Sequence, residues 1–142
     1  MTKIGSVRSV ATLLDAVRSG ERVRYLPFWG HTPRRDGTLD RSCLSQWWPS
    51  PFTVDGVSYA TAEHWMMAAK ARLFDDAEAE RAVLAARTPA EAKKAGRLVR
   101  GFDGAVWERE RFAVVVEGSA HKFASDPALG EFLRGTGRRV LV

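Results

Sequence analysis

The sequence predicts an α+β fold, mainly α, in a single compact domain with a short β-hairpin and few other short strands. Three observations predict it. The β-prone runs are short and lie early, two of them flanking Asp55-Gly56. Helix-start signals then follow one another, at Thr61, at Thr88-Pro89 and at Asp126-Pro127. The chain has 142 residues, 45% apolar and 27% charged, which is the length and balance of one globular domain, taken here as residues 1–142. Strands first and helices later is the pattern of a segregated α+β architecture.

Taken in order, residues 6–19 read as an amphipathic helix. Val10, Leu13, Leu14 and Val17 recur at i, i+3, i+4 and i+7, and Gly20 follows as a stop. Residues 22–28 alternate briefly before Pro27, which predicts a strand ending near Leu26. Residues 30–42 hold two glycines, a proline and three arginines and predict a loop. Phe52–Tyr59 predicts a hairpin, because Asp-Gly supplies the two positive-φ positions of a two-residue turn. Thr61 caps a helix expected over 62–74, rich in alanine. Thr88-Pro89-Ala90-Glu91 has the form of a capping box with proline at the first helical position, and a helix should run to about Val99. Residues 104–123 are mostly helical in pattern. Asp126-Pro127 starts another short helix, and Arg138–Val142 begins a strand.

Composition excludes several chemistries. One cysteine, Cys43, gives neither a disulfide framework nor a cysteine-based zinc site. The histidines, His31, His64 and His121, lack metal-ligand spacing. Adjacent Glu63 and His64 point about 100° apart on a helix and do not share an ion. No Gly-x-Gly-x-x-Gly, P-loop or Gly-x-Ser-x-Gly run is present, so no metal and no cofactor is expected. No apolar run approaches a membrane span and the N-terminus has no secretory h-region, so the expectation is a soluble, cytoplasmic protein without membrane contact. Lys and Arg number 22 against 17 acids, a net charge of +5, which suits a small phosphorylated partner as well as nucleic acid.

Three sets of residues could carry chemistry. The first is aromatic: Phe28-Trp29 before Gly30, Trp47-Trp48 after Ser45-Gln46, then Trp65 and Trp107. A tryptophan in a core needs no function, but rings in turn-rich loops beside polar residues offer stacking surfaces for a planar heterocycle. The second is the helix start after Thr61. Glu63, Met67 and Lys70 fall on one face, and Glu63 reads equally as an ordinary first-turn acid or as a carboxylate that orients water beside a cationic transition state. The third is cationic: Arg34-Arg35, Lys70, Arg72, Lys93, Lys94, Arg97 and Arg100, a solvated face or a surface for phosphate.

On these residues the chain resembles the YbiA-like, or NADAR, family. The matching segments are Phe28-Trp29-Gly30, Leu44–Phe52, Val54–His64, Lys70–Phe74, Gly96-Arg97, Trp107, Lys122-Phe123 and Thr136-Gly137. The Thr-x-Glu-His helix start behind an Asp-Gly hairpin is the most specific combination. The resemblance implies a compact, mainly helical α+β fold and hydrolysis of the C–N bond between a ribose and an amine or base nitrogen, without metal or cofactor. It implies Glu63 as the catalytic carboxylate, and Phe28, Trp29, Gly30, Ser45, Gln46, Trp47, His64, Lys70, Arg97 and Trp107 about the substrate. The expected partner is a small phosphorylated ribosyl-heterocycle, such as a phosphoribosylamino-pyrimidine of riboflavin biosynthesis. ADP-ribosylated nucleic acid, or ADP-ribose and NAD-like ligands bound without turnover, are the alternatives. A nucleic-acid-associated protein is a third reading, from charge and exposed rings. The family's pattern continues past a Leu-Val such as Leu141-Val142 into an Ala-Ser-rich stretch with an Asp and a Trp-Gly pair, so the resemblance also implies a domain incomplete at its C-terminal side.

Overall fold

The computed structural model describes residues 7–142. Among them, Asp55 and Gly56 take φ of 51° and 78°, the two left-handed positions that the tight turn demands. They join β2 (Phe52–Val54) to β3 (Val57–Tyr59) with Phe52 opposite Tyr59. Both rings are buried, 5.7 Å apart, and both lean on Trp65 at 6.0 and 5.0 Å. The hairpin is thereby anchored to the helix it precedes.

That helix, α2 (Ala62–Leu73), is the centre of the fold. The hydroxyl of Thr61 accepts the His64 backbone N–H at 3.2 Å, which satisfies one of the orphan donors of the first turn. Against α2 pack α3 (Ala77–Ala85), α4 (Pro89–Arg97) and α5 (Gly104–Ser125). Trp65, Met67, Ala68, Val83, Ala92 and Trp107 form the main core with the hairpin rings. Two glycines permit close approach: a methyl group on Gly118 would land on the indole of Trp65, and one on Gly96 on the thioether of Met67. The Trp65 indole N–H donates to the Val114 carbonyl at 3.0 Å, one turn before Gly118.

The helix α3 is an element the sequence reading did not assign. Its cap is Asp76, which accepts the Ala79 N–H at 3.0 Å and the Arg100 N–H at 2.8 Å. The Arg100 guanidinium also donates to Asp76, at 3.1 Å, and these bonds hold the Asp76 carboxyl well below the usual range. For α4, the Thr88 hydroxyl accepts the Glu91 N–H at 3.1 Å, while the Glu91 carboxylate accepts from Arg87 rather than from Thr88 itself. Then α6 (Pro127–Gly135), capped by Asp126, folds back on α5. It delivers β4 (Val140–Leu141) parallel to β1 (Tyr25–Leu26). A second small core, Cys43, Trp48 and Leu129, joins α6 to the loop before the hairpin. Cys43 is a free, fully buried thiol. No described helix is long and apolar enough to cross a membrane.

Two expectations are corrected. The helix expected over residues 6–19 forms as α1 (Val10–Arg18), capped by Ser9; residue 6 lies outside the described residues. Its apolar stripe does not enter the core. Val10, Leu14 and Val17 are 73%, 45% and 46% exposed, and only Ala16 is buried. No other described element packs closely on that face, so the periodicity made the helix without supplying a partner. The loop expected over 30–42 also ends early, in a 3-10 turn, Arg41–Leu44, whose first N–H groups are met by Asp40; Ser42 N–H donates to its carboxylate at 2.8 Å.

Candidate active site

The first turn of α2 is covered by the loop that follows the 3-10 turn. The backbone N–H of Glu63 donates to the Gln46 carbonyl at 3.1 Å. The Ser45 hydroxyl accepts the Trp47 N–H at 3.2 Å, and Trp48 is buried in the second core. From α5, the ammonium of Lys122 donates to the carbonyls of Cys43 at 2.6 Å and Ser45 at 2.8 Å. The loop is thus held from three sides, and its backbone cannot leave the N-terminus of α2 without breaking several hydrogen bonds.

Within this frame Glu63 is only 5% exposed. Burial pushes its carboxyl above the ordinary glutamate value, while the charge of Lys93 and a hydrogen bond from the Trp47 side chain pull the other way. The result is a carboxylate with a positive neighbour and an indole donor, at the positive end of a helix, with a proton affinity above that of an ordinary glutamate. Trp47 is flanked by the edge of His31 at 5.4 Å and by the Lys93 ammonium at 5.8 Å from its ring centre. Glu63, Trp47 and Lys93 come from α2, the preceding loop and α4, so the site is made only on folding. Such a group can stabilise a developing cation or take a proton from water. Among the described residues no three His, Cys, Asp or Glu side chains are grouped to hold a metal ion.

The other sequence-derived candidates divide. Ser45, Gln46 and Trp47 belong to the loop over Glu63 and are all half-buried; Gln46 holds α2 through its backbone carbonyl and Ser45 holds the loop through its hydroxyl. His64 is enclosed by the fold. It is 1% exposed, with Nδ1 2.8 Å from the Thr61 hydroxyl and Nε2 3.0 Å from the Ala86 carbonyl. A carbonyl only accepts, so Nε2 carries the proton and Nδ1 accepts from Thr61. Both nitrogens are engaged, and the ring braces α2 against the end of α3.

Lys70 lies two turns beyond Glu63 on the same face, roughly 10 Å along the axis. Its ammonium sits 4.5 Å from the Phe102 ring centre and 5.9 Å from that of the buried Trp107. The cation whose charge reaches Glu63 is Lys93, not Lys70. Arg97 is exposed one turn after Lys93 on α4. Arg100 and Arg72 are not free for phosphate: the first is bound to Asp76 and Glu78, the second to Glu80 at 2.8 Å. Phe28 is half-buried in a separate apolar cleft of about 330 Å³ with Leu44, Phe123, Leu133 and Leu141. Trp29 is 71% exposed, with the Arg41 guanidinium 5.3 Å from its ring centre, and Gly30 takes φ of 73° beside it.

Sequence reasoning passed over the placement of Lys93 and the role of Lys122. For Lys122 a signal existed. Trp107, Val114, Gly118 and Lys122 share one face of α5 at spacings of seven, four and four, so a lysine stood in register with core positions. For Lys93 no such signal exists, because its proximity to Glu63 is set by how α4 packs on α2.

The NADAR domain family model matches residues 27–142. The chain is 32% identical over 127 residues to N-glycosidase R617 of Acanthamoeba polyphaga mimivirus, a match covering 86% of this chain and 73% of that protein. The solution NMR structure of the E. coli protein YbiA superposes with a TM-score of 0.69 at 24% identity, over 84% of this chain and 66% of that one. The α+β, mainly helical arrangement described above is therefore the YbiA-like fold.

Proposed function

This chain belongs to the NADAR domain family, and on that premise we propose that it hydrolyses the bond between the anomeric carbon of a phosphorylated ribose and an amine or nucleobase nitrogen. The family and the viral relative's name support a hydrolase acting on N-glycosyl bonds. The proposed substrate class is a phosphoribosylamino-heterocycle, such as the pyrimidine intermediates of riboflavin biosynthesis. The observation that carries the reading is the burial of Glu63 beneath Trp47 and beside Lys93.

The chemistry asks for little more than this. As the C–N bond lengthens, positive charge builds on the ribose ring in an oxocarbenium-like transition state. The Glu63 carboxylate opposes that charge and accepts a proton from the attacking water. The water oxygen bonds to the anomeric carbon, the electron pair of the broken bond goes to the departing nitrogen, and the proton that Glu63 received passes to that nitrogen, which returns the carboxylate. Trp47 supplies a ring face for the leaving heterocycle. Lys93, and Arg97 one turn on, supply positive charge for the phosphate. No metal or cofactor enters this scheme.

A second reading, hydrolysis of ADP-ribose from a nucleobase, including one in a nucleic acid, is favoured by the exposed Trp29 with Arg41 over its ring. This pair would take a second ring and phosphate outside the Glu63 site.

The experiment is mass-spectrometric detection of released base and ribose phosphate from both substrate types. Glu63→Gln should lower turnover by at least about 100-fold, the scale expected of an acid–base group, with an unchanged circular dichroism spectrum. Wild-type turnover in that variant removes the assignment.

A further inference from the structure

A second cavity of about 650 Å³ lies apart from Glu63, where the chain entering β1 faces the turn between α6 and β4. It shares no residue with the surroundings of Glu63, Trp47 and Lys93. Arg22, Arg24, Arg138 and Arg139 line it, against a single acid, Glu21. The volume is that of a nucleotide-sized ligand rather than of one ion.

The backbone explains how the four arginines meet. Arg22 and Arg24 are exposed on either side of half-buried Val23, and both line the cavity. The Arg24 carbonyl accepts the Val140 N–H at 2.8 Å, which brings Arg138 and Arg139 alongside. The four do not play the same part. Arg139 turns inward: its guanidinium donates to the Thr136 carbonyl at 3.0 Å and the Gly135 carbonyl at 3.3 Å, closing the end of α6. It thereby neutralises the negative helix end that would otherwise repel an anion. Arg22, Arg24 and Arg138 are exposed, and none forms an ion pair or side-chain hydrogen bond with any described residue. Gly137, at φ of 60° with open space where a Cβ would stand, leaves the floor of the cavity uncovered.

We infer that this cleft is a binding site for phosphate esters, held by Arg22, Arg24 and Arg138 with Arg139 as their support. Guanidinium forks match phosphate oxygens two at a time, which ammonium groups do not. Arg22 and Arg24 precede the stretch matched by the family model, which starts at residue 27, so the site is built partly from residues outside that match. It stands independently of the reaction assigned to Glu63.

The test titrates the full chain with inorganic pyrophosphate by calorimetry and with a fluorescein-labelled ten-nucleotide oligothymidylate by anisotropy. The comparison is with the triple variant Arg22→Ala, Arg24→Ala, Arg138→Ala; Arg139 is left in place because it closes α6. Loss of pyrophosphate affinity by at least about ten-fold supports the site and identifies free phosphate compounds as its ligands. Where the oligonucleotide alone binds, three neutralised phosphates give a salt slope of about −2 that flattens in the triple variant, and the source is a nucleic-acid strand. Affinities of both probes equal in wild type and triple variant, or no binding of either, overturn the site. The Glu63→Gln variant should bind both probes as wild type does; a loss there assigns the binding to the other site and also overturns the inference. Should the triple variant fail to fold, the three single variants carry the same comparison, and no weakening in any of them overturns it.

Discussion

The helices α1 and α2 carry opposite sequence signals and have opposite fates. In α1 an apolar stripe is cleanly spaced, yet of nine residues only Ala16 is buried. In α2 polar and apolar residues are mixed around the barrel, yet seven of twelve residues are buried, among them Glu63 and His64. A helix surrounded on several sides has no solvent face to keep polar, so its amphipathic signal fades. The polar residues it retains must then be bonded or put to use. His64 is bonded at both nitrogens. Glu63 is left with a carboxyl that burial has made a stronger base. The lesson is that periodicity reports the existence of a helix, whereas the neighbours determine what its faces do.

The contrast can be broken most forcefully where α5 meets α2. Gly118→Ala pushes a methyl group into Trp65, a rigid ring already bonded to Val114. We expect a loss of about 1–3 kcal/mol, the scale of overpacked cores, read as a lower urea midpoint at unchanged m-value. Stability equal to wild type would show that α2 and α5 are less closely fitted than described.

A smaller effect, confined to alkaline pH, follows from Lys122. Burial lowers its ammonium from 10.5 to about 8. Between those values the unfolded chain binds more protons at this site than the folded one, so the site's contribution to the free energy of unfolding rises with pH through that window and is flat below it. The buried Cys43 thiol, pushed above its ordinary value of 9 by burial, acts in the opposite sense at higher pH. The difference between wild type and Lys122→Met isolates the lysine: the rise should disappear in the variant. Parallel urea midpoints in both proteins from pH 7 to about 10.5 would refute it.

The smallest change is expected on α1. Leu14→Ser alters a 45% exposed side chain and should move stability by no more than about 0.5 kcal/mol. A loss several times larger, seen by the same urea titration, would mean that the stripe is covered in solution, and the contrast with α2 would fall.

Local chemistry was legible in the sequence wherever a single short-range bond decides the structure. The Asp55-Gly56 turn, the Thr61 and Thr88 caps and the Asp126-Pro127 start all stand where their residue types demand. The same rule would have found α3, since Asp76 precedes Glu78 and Glu80 at a helix start. What could not be read is set at long range. Nothing near His64 announces the Ala86 carbonyl 22 residues away, and nothing near Glu63 announces Lys93. The cationic residues looked alike as letters; folding sent Arg100 to Asp76, Arg72 to Glu80 and Lys93 to the Trp47 ring, from where its charge acts on Glu63. Glu63 could be singled out as a candidate only through the resemblance to a family, because its first-turn position alone is equally that of a routine helix acid.

The ammonium clasped by the Cys43 and Ser45 carbonyls has one more consequence, for chemical labelling. Acetylating reagents attack free amines, so exposed Lys94 should react promptly while Lys122 stays masked. Its acylation then keeps time with the chain's excursions out of the native state, a built-in clock for opening that a peptide digest can read.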